Sequence, residues 1–138
     1  MRIMAIDYGD AHTGIAISDP TGFLAGFTTV INAYRPEAAA DQIAALAAEH
    51  GVEELVLGHP INMDGTRGPR SEKAHAMKGL LEERLSLPVV LWDERRTTID
   101  AHQILINSGK NAKKRKKVVD AVAASLILEG YLTFKKSH

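Results

Sequence analysis

The sequence contains no cysteine among its 138 residues. This absence excludes disulfide scaffolds, zinc fingers, iron–sulfur sites and thiol nucleophiles. The chain also lacks a long hydrophobic run, because its apolar stretches are short and interrupted by charge. Its first residues resemble a strand rather than a basic and then apolar leader. We therefore expect a soluble, cytoplasmic protein without a signal peptide or a membrane span.

Enough apolar material is present for a folded core. Hydrophobic residues make up 45% of the sequence and charged residues 25%, which argues against intrinsic disorder. A chain of 138 residues has the length of one ordinary domain. Residues 1–138 are therefore expected to form a single domain.

The formal net charge of zero conceals a segregation of charge along the chain. Residues 110–138 hold eight basic and two acidic side chains, a net charge of +6, and residues 1–109 carry −6. A basic tail is compatible with phosphate-bearing partners, and the acidic remainder leaves carboxylates for metal chemistry.

Hydrophobic periodicity predicts strands that alternate with helices. The predicted strands cover residues 2–7, 13–18, 25–32, 54–57 and 88–92, and the predicted helices cover residues 36–50, 71–85, 97–108 and 118–134. A glycine-bounded turn over residues 9–14 joins the first two strands as a hairpin. This order, βββαβαβαα, predicts an α/β fold in which a mixed five-stranded sheet carries helices on both faces.

Three acidic positions stand where apolar residues are expected. Asp7 ends an otherwise apolar strand, and the pair Asp93 and Glu94 ends another in the same way. Asp120 falls at the edge of the apolar arc of the last helix, close to Ile127 on a helical wheel. Burying a carboxylate is unfavourable unless it is paired, hydrogen-bonded or bound to a metal. Because successive strand residues face opposite sides, only one of the pair can join Asp7; we favour Glu94 for its longer side chain without excluding Asp93.

Each of these carboxylates also has a purely structural interpretation. An aspartate at the end of a strand is often a turn former, and Asp120 could complement the helix dipole. For any single position this interpretation is at least as good as the functional one. Three such carboxylates together, with no matching cation of a buried type beside them except Arg95 and Arg96, favour an oxygen-rich site for magnesium or manganese formed by Asp7, Glu94 and Asp120.

Two further segments have the composition of phosphate-binding elements. The loop 62–68 offers backbone N–H groups together with Asn62, Thr66 and Arg67, although such loops are equally common without a function. The basic segment, residues 110–117, directly precedes Asp120 and carries six cations. These include Lys113, Lys114, Arg115, Lys116 and Lys117. Such a run is usually solvated and mobile, but nucleic-acid backbone is its natural partner, with binding that weakens steeply as salt rises.

Other residue types give weaker indications. With three tyrosines, three phenylalanines and one tryptophan, stacking residues are scarce, which argues against a platform that reads the bases of a single strand. The six histidines stand at no zinc-like spacing, and most are expected at the surface. The segment 9–14 lacks the lysine and the following helix of a phosphate-binding P-loop.

Four blocks of the sequence, in order, resemble the YqgF family, which is also called RuvX. The blocks are D-Y-G at residues 7–9 with G-I-A-I-S-D at 14–19, L-G-H-P at 57–60 with N-M-D-G-T at 62–66, D-E-R-R-T-T at 93–98, and K-V-V-D-A-V-A-A at 117–124 with I-L at 127–128. The resemblance implies an RNase H-like fold. It relates the chain to bacterial proteins described as Holliday junction resolvases and as nucleases that mature the 5′ end of 16S pre-ribosomal RNA. It also assigns the family's acidic positions to Asp7, to Asp93 and Glu94, and to Asp120.

Two positions depart from the family pattern. His12 stands where members often have a basic residue, and His59 stands where they often have leucine. The acidic positions are intact, so the implied chemistry is retained, and no substrate contact is assigned to these two histidines.

The leading hypothesis is a magnesium-dependent or manganese-dependent endonuclease that matures the 5′ end of 16S pre-ribosomal RNA. Asp7, Glu94 or Asp93, and Asp120 would hold two divalent ions that activate water and stabilise the leaving oxygen of phosphodiester hydrolysis. The arginines at 95 and 96, the basic segment and the loop would position the nucleic-acid backbone.

Other functions remain open at this point. The chain could be a Holliday junction resolvase acting on branched DNA, or a non-catalytic nucleic-acid-binding module. It could also be a phosphotransferase of the actin-like ATPase class, since Asp7-x-Gly9 resembles their phosphate-binding turn, although those enzymes close two such domains around the nucleotide. RNA and DNA present the same phosphodiester to a metal site. The expected partners are therefore precursor rRNA, branched DNA or ribosomal particles, bound by a monomer or a homodimer.

Overall fold

The computed structural model describes residues 1–9, 11–19, 25–59, 68–93 and 112–137, and these ranges contain five strands and three helices. The strands are β1 (Ile3–Asp7), β2 (His12–Ser18), β3 (Ala25–Asn32), β4 (Glu54–His59) and β5 (Val89–Asp93). The helices are α1 (Pro36–Glu49), α2 (Pro69–Arg84) and α3 (Ala112–Ser137). Within α3 the side chains of residues 122–135 are described.

The strands form one mixed sheet in the order β3-β2-β1-β4-β5. β2 is antiparallel to both β1 and β3, whereas β4 is parallel to both β1 and β5. Four strands, β1, β3, β4 and β5, therefore run in the same direction, and their last residues lie along one border of the sheet, which we call the carboxyl edge. The predicted α/β fold with a mixed five-stranded sheet is confirmed.

Helices cover both faces of this sheet, as predicted. One buried cluster joins α1 and α2 to Met4 and Ile6 of β1, and a second joins α3 to Ile3 and Ala5 of the same strand. Because successive strand residues face opposite sides, β1 contributes to both clusters and is buried along most of its length. Full burial of a side chain such as Ile6 contributes roughly 1.5–3 kcal/mol, so this strand is a main source of stability.

Most predicted element boundaries agree with the structure. β3 has the predicted bounds, α1 ends one residue earlier than predicted, and β4 extends two residues further, to His59. The prediction that the last helix begins at residue 118 is wrong, because α3 begins at Ala112. Alanine, lysine and arginine have high helix propensities, so the helix continues backwards through the basic segment. The predicted helix 97–108 lies outside the described residues. Among the described helices, none is both long and apolar enough to cross a membrane.

The connection between β1 and β2 contains a glycine at a position where a larger residue does not fit. A Cβ atom added to Gly9 would lie 2.4 Å from the carbonyl oxygen of His12. This oxygen belongs to the backbone at the start of β2, so relief of the clash requires the strand to shift. Gly9 therefore permits the close return of the chain that pairs Asp7 with Gly14 of β2.

Replacing Gly9 by alanine is expected to lower the free energy of unfolding by about 1–3 kcal/mol, the usual range for overpacking. Equilibrium unfolding in urea, followed by circular dichroism, measures the difference. The matched control is Gly79→Ala in α2, where nothing lies within 4 Å of the added Cβ. This change should stabilise the helix by about 0.8–1 kcal/mol. Equal stability of the two variants would contradict the steric role of Gly9.

Candidate functional site

Asp7 occupies the carboxyl end of the central strand β1, in register with Gly14 of β2. Its side chain is partly buried, whereas the four residues before it are fully buried. Ile3 and Ala5 pack against α3, and the alternation of side chains places Asp7 on that same face of the sheet. The carboxylate therefore lies where the core beneath α3 opens at the carboxyl edge.

Asp93 ends β5 at the same edge but on the other face. Trp92 packs in the cluster of α3, whereas Val89 and Leu91, which alternate in phase with Asp93, pack in the cluster of α1 and α2. Because β4 lies between β1 and β5, two strand spacings, or about 9–10 Å, separate Asp93 from β1. Asp93 and Asp7 thus share an edge of the sheet but not a face.

Most of the other predicted site residues fall outside the described side chains. Glu94, Arg95, Arg96, Asn62, Thr66 and Arg67 lie outside the described residues. The backbone of α3 includes Asp120, Lys113, Lys114, Arg115, Lys116 and Lys117, whose side chains are not among those described. Among the side chains that are described, no three histidine, aspartate or glutamate groups converge as a metal site. The predicted ligand set stays a prediction.

The buried face of α3 indicates how this helix lies on the sheet. Ala124, Ile127, Leu128 and Tyr131 recur at helical spacing and pack in the cluster that includes Ala5 of β1. Position 120 precedes Ala124 by one helical turn and therefore continues this row. The basic segment from residue 112 onward forms the turns just before it, and residues 112–120 span about 12 Å of helix axis.

The C-terminal end of α3 is held at the amino end of β4. The hydroxyl of Tyr131 donates a hydrogen bond to Oε1 of Glu54, the first residue of β4, and the ammonium of Lys135 lies 3.2 Å from Oε2 of the same carboxylate. The Tyr131 ring also packs edge-on against Trp92, with 5.7 Å between the ring centroids. Burial, and then the hydrogen bond to Glu54, raise the pKa of Tyr131 well above its ordinary value because both favour the neutral phenol.

His59 is an exception to the expectation that most histidines lie at the surface. It ends β4 and is 6% exposed. Its Nε2 lies 2.6 Å from Oγ of Ser71, a fully buried residue in the first turn of α2, and the ring of His75 packs edge-on against it. His59 therefore joins the end of β4 to the start of α2. This contact lies at the carboxyl edge, on the face opposite to Asp7.

His12, the other departure from the family pattern, also makes an internal contact. Its Nδ1 lies 2.6 Å from Oδ1 of Asn32, its register partner across β2 and β3. This contact joins the start of β2 to the end of β3 at the carboxyl edge. Neither histidine was assigned a substrate contact from the sequence, and their contacts in the described residues account for them structurally.

The sequence does not predict a groove that the structure forms near the starts of α1 and α2. Its volume is about 360 Å³, and it is lined by Tyr8, Tyr34, Pro36, Lys73, Ala76 and Met77. Tyr8 directly follows Asp7, whereas Tyr34 follows β3 and is brought close by the pairing of β1, β2 and β3. No spacing in the sequence signals this pair, because it depends on the order of strands in the sheet.

The strand order and the helices on both faces are those of the RNase H-like fold. Thermus thermophilus RuvC in complex with Holliday junction substrate has a TM-score of 0.64 to this chain, covers 99% of it and 96% of its own chain, and is 13% identical. The large terminase nuclease from the thermophilic phage G20c has a TM-score of 0.59 at 10% identity, with 95% of this chain and 81% of its own covered. At these identities the likeness establishes the fold.

The chain belongs to the RuvX family. A family model described as RuvX, Holliday junction resolvase, matches residues 1–134. A Halothermothrix orenii protein is 46% identical over 98% of this chain and 96% of its own length. A Listeria monocytogenes protein is 46% identical over 96% of this chain and 97% of its own length. Both carry the provisional name pre-16S rRNA nuclease. The resemblance seen in the sequence is confirmed, and the family makes this chain a nuclease, a hydrolase of phosphodiester bonds.

Replacing Tyr131 by phenylalanine tests the attachment of α3. The pKa of Tyr131 is raised on folding, so the stability that its protonated hydroxyl contributes is fully present below about pH 10 and is lost as the pH rises towards the folded value. Tyr131→Phe should lower the free energy of unfolding by about 1 kcal/mol at neutral pH. It should also lose less stability than the wild type above about pH 10.

Urea unfolding at a series of pH values measures both effects. The control is Tyr34→Phe, because the Tyr34 ring is 84% exposed, and its stability should follow that of the wild type at every pH. Parallel pH curves for the wild type and Tyr131→Phe would show that the hydroxyl does not hold α3 to Glu54.

Proposed function

We propose that this chain is a divalent-metal-dependent endonuclease that matures the 5′ end of precursor 16S ribosomal RNA. One observation carries the proposal. Asp7 is a partly buried carboxylate at the carboxyl end of the central strand, on the face of the sheet that α3 covers. In a nuclease family, a carboxylate at this position supports a metal-assisted cleavage site at the carboxyl edge.

Glu94 is the favoured second carboxylate because the alternation of side chains along β5 places Asp93 on the face of the sheet opposite to Asp7. Asp93 is in phase with Val89 and Leu91 and is the register partner of His59. One step further along an extended chain, a side chain returns to the face of Trp92, which is also the face of Asp7. The longer side chain of Glu94 also helps to reach across the intervening strand β4.

Asp120 is the favoured third carboxylate because of the way α3 is attached. Tyr131 bonds to Glu54 at the amino end of β4. Eleven residues separate Tyr131 from Asp120, or about 16 Å of helix axis. The strand β4, from Glu54 to His59, has about the same length as this part of the helix, at roughly 3.3 Å per residue. The helix is therefore long enough for residue 120 to reach the carboxyl edge of the sheet while Tyr131 lies at the amino edge.

The donor set of Asp7, Glu94 and Asp120 fits magnesium or manganese, since carboxylate oxygens are the ligands that these hard cations prefer. Asp7 is the described member of the set, and its partial exposure leaves the carboxylate accessible from the edge. When bound, the metal would activate water and stabilise the leaving oxygen of the phosphodiester. The carboxylates would orient the ion, and the apolar core beneath α3 would limit access of bulk water from behind.

Basic residues around this edge would hold the substrate backbone. Residues 112–117 of the basic segment form the first turns of α3, shortly before Asp120, so their cations are close to the proposed site in sequence. We assign the same role to Arg95 and Arg96, which follow Glu94, and to the loop residues Asn62, Thr66 and Arg67. Contacts of these residues with phosphates rather than base edges would confer affinity rather than sequence specificity.

The names of relatives support precursor 16S rRNA as the substrate. A Holliday junction in branched DNA is the second candidate, because the family description names this activity and the fold is that of a RuvC bound to such a junction. The two substrates make different demands on assembly, since symmetric cleavage of a four-way junction suggests a homodimer and trimming of rRNA needs only a monomer. Action on ribosomal particles or their precursors would place the enzyme in the cytoplasm.

Substitution of the carboxylates is the direct test of this proposal. Asp7→Asn, Glu94→Gln and Asp120→Asn should each lower metal-dependent cleavage more than about a hundredfold, because loss of even outer-shell partners of a metal costs about 10–100-fold. Asp93→Asn should cost less than any of the three. Cleavage of precursor 16S rRNA and of a four-way DNA junction is measured with magnesium, with manganese and with a chelator.

The matched control is Glu53→Gln, an exposed carboxylate next to β4 at the opposite edge of the sheet, which should cleave like the wild type. Equal cleavage by the wild type and Asp7→Asn would reject the proposal and indicate a contaminating nuclease. A larger loss in Asp93→Asn than in Glu94→Gln would reverse the assignment of the second ligand.

The salt dependence of binding tests the role of the basic segment. Each cation that neutralises a phosphate adds about 0.7–0.9 to the slope of log affinity against log salt. The double variant Lys113→Gln, Lys116→Gln should therefore reduce this slope by up to about 1.8, measured by titration of a labelled substrate without metal. The control is Lys78→Gln, a lysine on α2 that pairs with Glu82, and its slope should be that of the wild type. An unchanged slope in the double variant would remove the basic segment from the binding surface.

A further inference from the structure

The groove near the starts of α1 and α2 has the chemical character of a site for an unpaired nucleotide. Two phenol rings, Tyr8 and Tyr34, form part of its wall, and Met77 and Pro36 add apolar surface. Lys73 contributes the cation among the lining residues. Its volume of about 360 Å³ falls in the range of small-ligand sites, roughly 300–1,000 Å³.

Tyr34 is the most exposed of the large apolar side chains described, with 84% of its surface accessible. A single exposed aromatic ring is common on protein surfaces and needs no explanation. Here, however, the exposed ring shares a groove with a second tyrosine. A base that entered the groove would meet aromatic surface, and stacking on such surface contributes about 1–3 kcal/mol per base irrespective of base identity.

The groove adjoins the same end of β1 as the proposed cleavage site, because Tyr8 lines it. Tyr8 is the residue after Asp7, and its ring packs against the cluster of α1 and α2, whereas Asp7 lies on the face of α3. The two side chains therefore stand on opposite sides of the end of one strand. A nucleic-acid chain that crosses the carboxyl edge at this point would contact both of them.

The electrostatic surroundings of the groove are mixed and only weakly favour phosphate. Lys73 begins the second turn of α2, the first turn of α2 carries the exposed Arg70 and Glu72, and the first turn of α1 carries the exposed Glu37. The N-termini of α1 and α2 add partial positive charge near the groove. Lys73 is therefore placed to receive one phosphate, while most of the binding free energy would come from the rings.

We propose that this groove binds one unpaired nucleotide of the nucleic-acid substrate beside the cleavage position, with its base stacked on Tyr34 and Tyr8 and an adjoining phosphate near Lys73. The identification of the occupant as nucleic acid rests on the proposed function. The inference narrows the substrate class to single-stranded segments or junctions with an unpaired residue at the cleavage position. A base held in a duplex has its faces covered by its neighbours, so it cannot stack on the two tyrosines.

Metal-free binding of labelled oligonucleotides tests the groove. The probes are a short oligoadenylate with ribose, the same sequence with deoxyribose, and a blunt duplex, each titrated in the presence of a chelator and followed by fluorescence anisotropy. Tyr34→Ala should weaken binding of the single strands about 5- to 150-fold, the fold-change that corresponds to about 1–3 kcal/mol, and should leave duplex binding unchanged. Tyr34→Phe keeps the stacking face and should bind like the wild type.

The cation is tested in the same assay. Lys73→Gln should reduce the salt slope for the single strands by about 0.7, the value for one phosphate contact on a single strand. Lys78→Gln, five residues further along α2, is its matched control and should leave the slope unchanged. Binding of either sugar that depends on Tyr34 supports the groove, and the ratio of the two affinities identifies RNA or DNA as the natural source of the nucleotide.

Two results would overturn the inference. One is wild-type affinity of Tyr34→Ala for both single strands, and the other is an equal loss for the single strands and the duplex. Because Tyr34 is exposed, its removal should leave the urea unfolding curve unchanged, which separates a loss of binding from a loss of folding. The assay needs no cleavage, so a wild-type result for Asp7→Asn in the nuclease test would reject the proposed function without changing the outcome for the groove.

Discussion

The burial of β1 on both faces is the constraint on which the site depends. Ile6 packs against α1 and α2, while Ala5 packs against α3, so no position between the ends of this strand has access to water. A carboxylate in the strand is tolerated only at its end, where solvent or an ion can stabilise its charge. Asp7 is therefore fixed at the carboxyl edge by the same packing that forms the two cores. The turn at Gly9 then holds it beside β2.

Much of the fold could be predicted because the signals that define it are local. The bounds of β3 and the extent of α1 follow from runs of apolar residues and from Pro36, which begins the helix. Asp7 was found in the same way, as a charged residue that ends an apolar strand. The start of α3 was missed because periodicity reports only the part of a helix that packs on a core. Its first turns are basic and carry no apolar row, so their helical propensity left no periodic signal.

The remaining features depend on register and strand order, which no local pattern specifies. The contact of His59 with Ser71 arises because β4 ends beside the first turn of α2, and a strand-ending histidine in the sequence does not reveal that neighbour. Tyr8 and Tyr34 line one groove because β1, β2 and β3 are adjacent in the sheet. Aromatic residues are scarce in the chain as a whole, but their number carries no information about which of them lie close together in the fold. Composition therefore does not reveal a groove that two tyrosines line.

The pleat of one strand would let a small nuclease separate the proposed cleavage chemistry from the proposed substrate selection. Asp7 and Tyr8 are consecutive, yet they lie on opposite faces of the sheet, so the end of β1 presents a carboxylate to one side and an aromatic ring to the other. A nucleic-acid chain crossing this end would be hydrolysed on the face of α3 and gripped on the face of α1 and α2. The distance between the two functions is then set by backbone geometry, which substitutions of surface residues do not alter. Under this arrangement, substrate preference can change through the groove residues while the cleavage site keeps its carboxylates.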